Sequence, residues 1–344
     1  MGIRLGPLAR EFGAGKLVDA KFLRGRVIVV DALVTIYQML AMIRGPDGYF
    51  LVDSEGRITS HLVGIFNREC RLLSMGIRSI YVFDGPPHPL KQRILKQRKE
   101  EKQKFYHKFI EAVRKGDVEN AVKLGKRAMF VTDRMISETK RLLELLGIPY
   151  IKAIHDAEAQ AAYMVKRNDA FALATRDWDA FLYGSPRMIM HWKITVDDYL
   201  PTMLYELREF LEKLHLSMEE LIELGILLGT DYNPGGFRGI GPKKAYKLIR
   251  TYHSVDRLIE LKKIEWRWDI SPSDIRKIFV NPPIREKYKI IFEEPRVDEL
   301  IEFLVYEHNF SKQRVKNQIT TAMRGMRRIG RQASILDFQN TNAR

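Results

Sequence analysis

Arg26-Val-Ile-Val-Val30 is a short β-branched run that stops at Asp31, and Arg78-Ser-Ile-Tyr-Val-Phe83 is a second that stops at Asp84. A third, Ala170-Phe-Ala-Leu-Ala-Thr175, leads into Asp177, and the strand-like Tyr150-Ile-Lys-Ala153 leads into Asp156. Runs of this length, bounded by turn residues such as Gly85-Pro86-Pro87, read as buried strands. Between them lie helical patterns. Ile36, Met39, Leu40 and Ile43 follow the first run, and further helices are predicted at about 59–75, 91–127 and 131–147, the last closed by Gly147-Ile148-Pro149. Strands alternating with helices predict an α/β fold with a mostly parallel central sheet flanked by helices. After about residue 200 the pattern is helical throughout, interrupted at Asn233-Pro-Gly-Gly236 and Asn281-Pro-Pro283. From about Gly330 the helical pattern fades into a tail.

The chain has 344 residues, of which 45% are hydrophobic, enough to bury a sizeable core and to exclude disorder over most of its length. Its one cysteine, Cys70, excludes an intramolecular disulfide and a cysteine-based zinc site. No apolar run is long enough to span a bilayer, and the start, Met1-Gly-Ile-Arg-Leu-Gly6, carries no apolar signal core. A soluble, cytoplasmic protein is expected. The formal net charge is +15, and it is local: residues 91–127 carry net +8 and residues 311–331 net +7. Such concentrated positive charge favours a polyanionic partner, nucleic acid above all.

Three strand-like runs end in Asp31, Asp84 and Asp177, and in parallel α/β sheets the carboxyl ends of strands face one crevice. Asp156 and Glu158 open the next helix, Asp179 pairs with Asp177, and Asp231 closes the apolar segment Leu224–Thr230. Each acid alone reads more often as an N-cap or turn residue, and it is their collective placement at several strand ends that favours a metal site. Seven carboxylates in one crevice would force several to protonate unless cations neutralise them, and Mg²⁺ suits an all-oxygen set. Two such ions can stabilise the attacking and leaving oxygens of a phosphodiester.

A second motif is Gly236-Phe-Arg-Gly239-Ile-Gly241-Pro-Lys243-Lys244. Glycines at a helix start leave backbone N–H groups open to a phosphate, and Lys243 and Lys244 add charge there. Gly13-Ala-Gly-Lys16 lacks the spacer and hydroxyl residue of a P-loop and is set aside.

At this point a resemblance becomes specific. Val30-Asp-Ala-Leu33, Gly56-Arg-Ile-Thr-Ser-His-Leu62, Tyr81-Val-Phe-Asp-Gly85, Glu158-Ala-Gln-Ala-Ala-Tyr163, Leu228-Gly-Thr-Asp-Tyr-Asn233, Gly239-Ile-Gly-Pro-Lys243 and Glu307-His-Asn-Phe-Ser311 occur in order along nearly the whole chain. Together they resemble the flap endonucleases, structure-specific 5′ nucleases of replication and repair, in their archaeal form. The resemblance implies a PIN-like 5′ nuclease fold with a helical arch and a helix-turn-helix-type DNA-binding element. It divides the chain into a single core, 1–329, and a tail, 330–344. Within the core it implies an N-terminal part (about 1–95), an arch (about 88–130), an internal part (about 131–250) and a C-terminal helical part (about 251–329).

It further implies two Mg²⁺ ions. Asp31, Asp84, Asp156 and Glu158 would surround one, and Asp177, Asp179 and Asp231, with Glu158 bridging, the other. Lys91 and Arg98 would act on the scissile phosphate from the base of the arch, Tyr37 would stack on a base, and Arg44 and Arg68 would contact DNA beside the junction. Gly229, Gly239, Gly241, Lys243 and Lys244 would hold the DNA backbone. The expected partner is branched DNA with a 5′ flap, with nucleoid association and no membrane. A weak sliding-clamp contact would use Gln332, Ile335, Leu336 and Phe338, since Gln339 stands where that box has a second aromatic. Asp156 stands where the family usually has Glu, Arg176 and Trp178 replace its Gln and Tyr, and Met190 replaces a basic residue. These departures keep two rivals open: a catalytically weakened DNA-binding paralogue, and a nuclease preferring bubbles or four-way junctions.

Overall fold

The computed structural model describes residues 3–46, 48–91, 131–190 and 202–341, with positions 104, 108 and 111, and gives residues 328–341 as backbone. Most of the expected arch, including Arg98, lies outside the described residues.

The strands are β1 (Lys16–Val18), β2 (Val27–Asp31), β3 (Arg78–Phe83), β4 (Tyr150–Lys152), β5 (Ala172–Ala174), β6 (Arg187–Met190) and β7 (Thr202–Glu206). They form one sheet in the order β1-β7-β6-β5-β2-β3-β4. The five strands from β6 to β4 are mutually parallel, with Val30 opposite Tyr81 on one side and Ala174 on the other. β7 and β1 add antiparallel at one edge. The parallel centre, assembled from the three Asp-terminated runs, is as the sequence predicts. The helical reading of everything after residue 200 is corrected by β7, and β1 and β6 were not foreseen. Three residues of β1 are too few to show a period, and Gly15, in the stretch set aside as a P-loop, leads into it against the Tyr205 ring of β7.

Both faces of the sheet are buried, so its strands are continuously apolar rather than alternating. Val29, Ile80, Val82, Leu173 and Met188 face one core, shared with the helices Ala157–Lys166, Met218–Leu228 and Pro242–Tyr252. Ile28, Val30, Tyr81, Phe83, Ala172 and Ile189 face the other, shared with Ala32–Met42, Ser60–Met75, Asp133–Leu145 and Lys312–Thr341. Local signals set the helix starts: Thr132 accepts from Met135 N, and Ser217 forms a reciprocal capping box with Glu220. Ser60–Met75 ends at Gly76, whose left-handed backbone suits glycine. The last helix runs to Thr341, past the end predicted near Gly330.

A buried polar network ties the C-terminal part to the core. Asp53 accepts from the Arg57 guanidinium and lies 3.1 Å from His308 Nδ1, while His61 Nε2 lies 3.2 Å from Glu138. Arg57 also donates to the Glu307 carbonyl, and Ser54 Oγ to Asn309 at 2.7 Å. This places the Glu307–Phe310 motif in a structural role, far in sequence from the loop it clamps.

Candidate active site

From β2 the chain steps outward through β3 to β4, then returns to add β5 on the other side of β2. That reversal makes β2 and β5 the topological switch point, where the strand ends splay and open a crevice. Asp31 ends β2, Asp84 follows β3, Asp156 and Glu158 follow β4, and Asp177 and Asp179 follow β5. Asp231 comes from the turn after Met218–Leu228.

Four of the carboxylates are held by named hydrogen bonds. Asp31 caps its own helix, accepting from Val34 N at 2.8 Å, so the N-cap reading and the site reading hold together. Asp84 instead accepts from Ala157 N at 2.7 Å, capping the helix that carries Glu158. Glu158 accepts from Thr175 Oγ1 at 2.7 Å, and the same hydroxyl accepts from Asp177 N at 3.0 Å. Asp179 accepts from Ile3 N at 3.3 Å, which pins the N-terminal segment to the crevice. Gly85 allows Asp84 and Asp156 to approach: its N–H donates to His155 O at 2.8 Å, and a Cβ there would lie 2.1 Å from Ile154 O.

Carboxylate oxygens of Glu158, Asp177 and Asp179 all lie within 4.8 Å of one another. Electrostatics extends the group. Burial and then the Asp84 charge push Asp31 up to about 8, and burial with Asp156 and Asp231 pushes Asp84 up to about 6. Burial, followed by the Asp177 charge, drives Glu158 and Asp179 well above the carboxylate range. Mutual repulsion of this strength among all-oxygen donors is what a hard divalent cation relieves, so the residues fit a metal site. The described cation facing them is Lys91, whose Nζ lies 2.8 Å from Asp156 and 3.4 Å from Asp231. Burial opposes its charge, but Asp156, Tyr232 and Asp231 together outweigh it and hold the ammonium above the usual lysine range.

Residues 1–105 match the family model of the XPG N-terminal domain, and residues 147–231 that of the XPG I-region. Flap endonuclease 1 of Staphylothermus marinus is 41% identical over 337 residues, covering 95% of this chain and 96% of the relative. The chain belongs to the flap endonuclease family. Among solved structures, Methanococcus jannaschii flap endonuclease-1 superposes with a TM-score of 0.75 at 36% identity, over 95% of this chain and 99% of that one. The catalytic core of Rad2 in complex with DNA substrate gives 0.73 at 25% identity, over 93% and 100%. The PIN-like 5′ nuclease fold follows.

The remaining positions singled out in this flap endonuclease sequence lie in varied surroundings. Tyr37 is half-buried on Ala32–Met42, and Arg44 stacks 3.8 Å over the Phe50 ring. Arg68 is 9% exposed beside Glu69, inside the fold rather than on its surface. Gly229 ends Met218–Leu228, Gly241 caps Pro242–Tyr252, and Lys243 and Lys244 are exposed on that helix's first turn, Lys243 lying 3.2 Å from Glu11. Gly239 has φ +78° with open space where a Cβ would stand. Arg176, Trp178 and Met190 behave differently from one another: Trp178 is buried against Tyr205 and Phe210, Met190 is buried, and Arg176 is exposed. The side chains of Gln332, Ile335, Leu336 and Phe338 lie outside the described residues.

Sequence reasoning missed Thr175, Tyr183 and Tyr232. Tyr183 and Tyr232 place their hydroxyls 2.9 and 3.0 Å from Asp156 Oδ2. Signals existed: Tyr232 follows Asp231, and Tyr183 lies one turn after Asp179 on the same face.

Proposed function

We propose that this chain is a Mg²⁺-dependent structure-specific nuclease that cuts 5′ flaps at the junction of single- and double-stranded DNA, with 5′-3′ exonuclease activity, in replication and repair. The observation that carries this reading is the convergence of strand-end carboxylates on one switch-point crevice with Lys91 at its rim. Asp31, Asp84, Glu158, Asp177, Asp179 and Asp231 are assigned to hold two Mg²⁺ ions. Such ions supply charge neutralisation at the phosphate and activation of water for in-line displacement.

The chain's own groups do the rest. Lys91 keeps its proton and offers an ammonium to the scissile phosphate, with Arg98 assigned the same task from the arch. The Gly239–Gly241 turn and the first turn of Pro242–Tyr252 present backbone N–H groups and Lys243 and Lys244 to duplex phosphates. Tyr37 and Arg44 are assigned to the junction, and Gly229 to shaping the turn before the duplex contact. Binding through phosphates and junction shape makes base sequence nearly irrelevant. Gln332, Ile335, Leu336 and Phe338 are proposed as a weak sliding-clamp contact, and the enzyme is proposed to act at the nucleoid.

A 5′-labelled flap, a bubble and a four-way junction incubated with and without Mg²⁺ test the reading. Rapid Mg²⁺-dependent cutting of the flap at its base is expected. Binding without cleavage would reduce the chain to a DNA-binding paralogue, and faster cutting of the other substrates would reassign its preference.

A further inference from the structure

Asp156 is held by three side chains, of which Lys91 also faces Asp231 at the longer distance of 3.4 Å. Asp156 Oδ1 accepts from Lys91 Nζ at 2.8 Å, and its Oδ2 lies 2.9 Å from the Tyr183 hydroxyl and 3.0 Å from that of Tyr232. A carboxylate oxygen has two lone pairs, so Oδ2 is filled. An ammonium on Oδ1 repels any divalent ion approaching the same atom. Both tyrosines are buried, at 4% and 2% exposure, and the Phe279 ring packs against each, 4.9 Å from Tyr183 and 6.0 Å from Tyr232. Two donors on rigid, packed rings therefore fix the carboxylate from behind. Lys91, at its front, also lies 4.7 Å over the Tyr232 ring.

We propose that Asp156 is a positioning residue for Lys91, held by Tyr183 and Tyr232, and is not a metal ligand in this chain. The assignment rests on the reading that Lys91 acts at the scissile phosphate. A lysine on a four-carbon stem loses much rotamer freedom when it must meet a phosphate in one geometry. Docking its ammonium at the rim of the crevice beforehand removes part of that loss, which is where a positioning residue gains rate.

The test counts bound metal directly, on the full chain without DNA, by electron paramagnetic resonance of free Mn²⁺. The variant is Lys91→Met with Asp156→Asn, which removes the pair together and leaves the local net charge unchanged. It should bind as many ions as wild type, each within about threefold in affinity, whereas Asp179→Asn should lose one. Loss of an ion, or a drop of more than about threefold, in the double variant overturns the proposal.

A second measurement applies should that variant fail to fold. In single-turnover cleavage, Asp156→Asn should slow wild type about a hundredfold but the Lys91→Met protein less than about threefold. Tyr183→Phe should follow the same pattern with a smaller factor. Equal slowing in both backgrounds overturns the proposal. A wild-type protein that cuts no flap would instead defeat the functional reading, and the Mn²⁺ count would still judge Asp156.

Discussion

Gly85→Ala tests whether the crevice depends on how closely two strand ends approach. Gly85 is absent from the left-handed glycines, so alanine meets no backbone penalty and the effect is one of space. A Cβ at this position lies 2.1 Å from Ile154 O and 2.5 Å from Ala153 O. Ordinary carbon–oxygen contacts begin near about 3.3 Å, so the Asp84 and Asp156 segments must part by about 1 Å. Two hydrogen bonds resist: Gly85 N to His155 O at 2.8 Å, and Ala157 N to Asp84 Oδ1 at 2.7 Å. Overpacking against backbone costs about 1–3 kcal/mol, so urea unfolding should show a loss near the upper end of that range. The functional effect should be larger than the stability effect suggests. Asp84 moves relative to Glu158, and a displacement of about 1 Å in a catalytic constellation slows the chemical step about a hundredfold, or about 2.7 kcal/mol in barrier. Single-turnover cleavage of a saturating flap substrate at a temperature where the variant is fully folded reads that step. Wild-type turnover with a stability loss below about 0.5 kcal/mol would refute the argument, because the strands would then have absorbed the methyl without moving the acids.

Asp179→Ala should abolish cleavage while flap binding in a mobility-shift assay survives or tightens, since it removes a negative charge near phosphate; retained turnover in Mg²⁺ would remove Asp179 from the metal site. Asp53→Asn should lower stability in chemical unfolding, because it removes the buried carboxylate shared by Arg57 and His308 and leaves Arg57 with its more exposed ion-pair partner Glu55. Burial opposes the Asp53 charge, but the Arg57 hydrogen bonds prevail and hold the carboxyl down at about 2 against 3.8. Its stabilisation is therefore complete above about pH 4 and lost as pH falls through about 2, so acid unfolding of wild type should show a loss in that window that Asp53→Asn lacks. Lys243→Ala and Lys244→Ala should weaken flap binding equally for all base sequences and each lower the salt dependence by about one counterion; a sequence-dependent loss would show base contacts instead. Deleting residues 331–344 should leave cleavage of isolated flaps unchanged and reduce affinity for the cognate clamp, and equal clamp affinities in titration would place that contact elsewhere.

The acid site was readable because it is written in strand ends. Each of β2, β3 and β5 is a short apolar run whose hydrophobic pattern stops within a few residues of its aspartate, so finding the strand finds the acid. Asp31 shows the limit of reading one residue alone, since the same carboxylate caps Ala32–Met42 and faces the crevice. Edge strands were less legible. β7 gives no sign in Thr202–Glu206 of whether it continues as helix, and only pairing with β1 and β6 decides it. Arg68 is the converse case: the resemblance implies a DNA contact for it, and packing leaves it 9% exposed beside Glu69.

Composition, period and spacing thus determine by themselves that this chain is an α/β protein with a basic stretch at 91–127 and carboxylates at the ends of parallel strands. Those properties are local, set by backbone preferences and by the burial of short apolar runs. Which partner each acid takes is not local. Thr175 under Glu158, Ala157 N–H on Asp84, and two tyrosines and a lysine around Asp156 come from segments up to 76 residues apart in sequence. Only the strand order β5-β2-β3-β4 and the helices packed on it bring those groups within hydrogen-bond distance, because each partner sits on a different element of the sheet or its flanking helices.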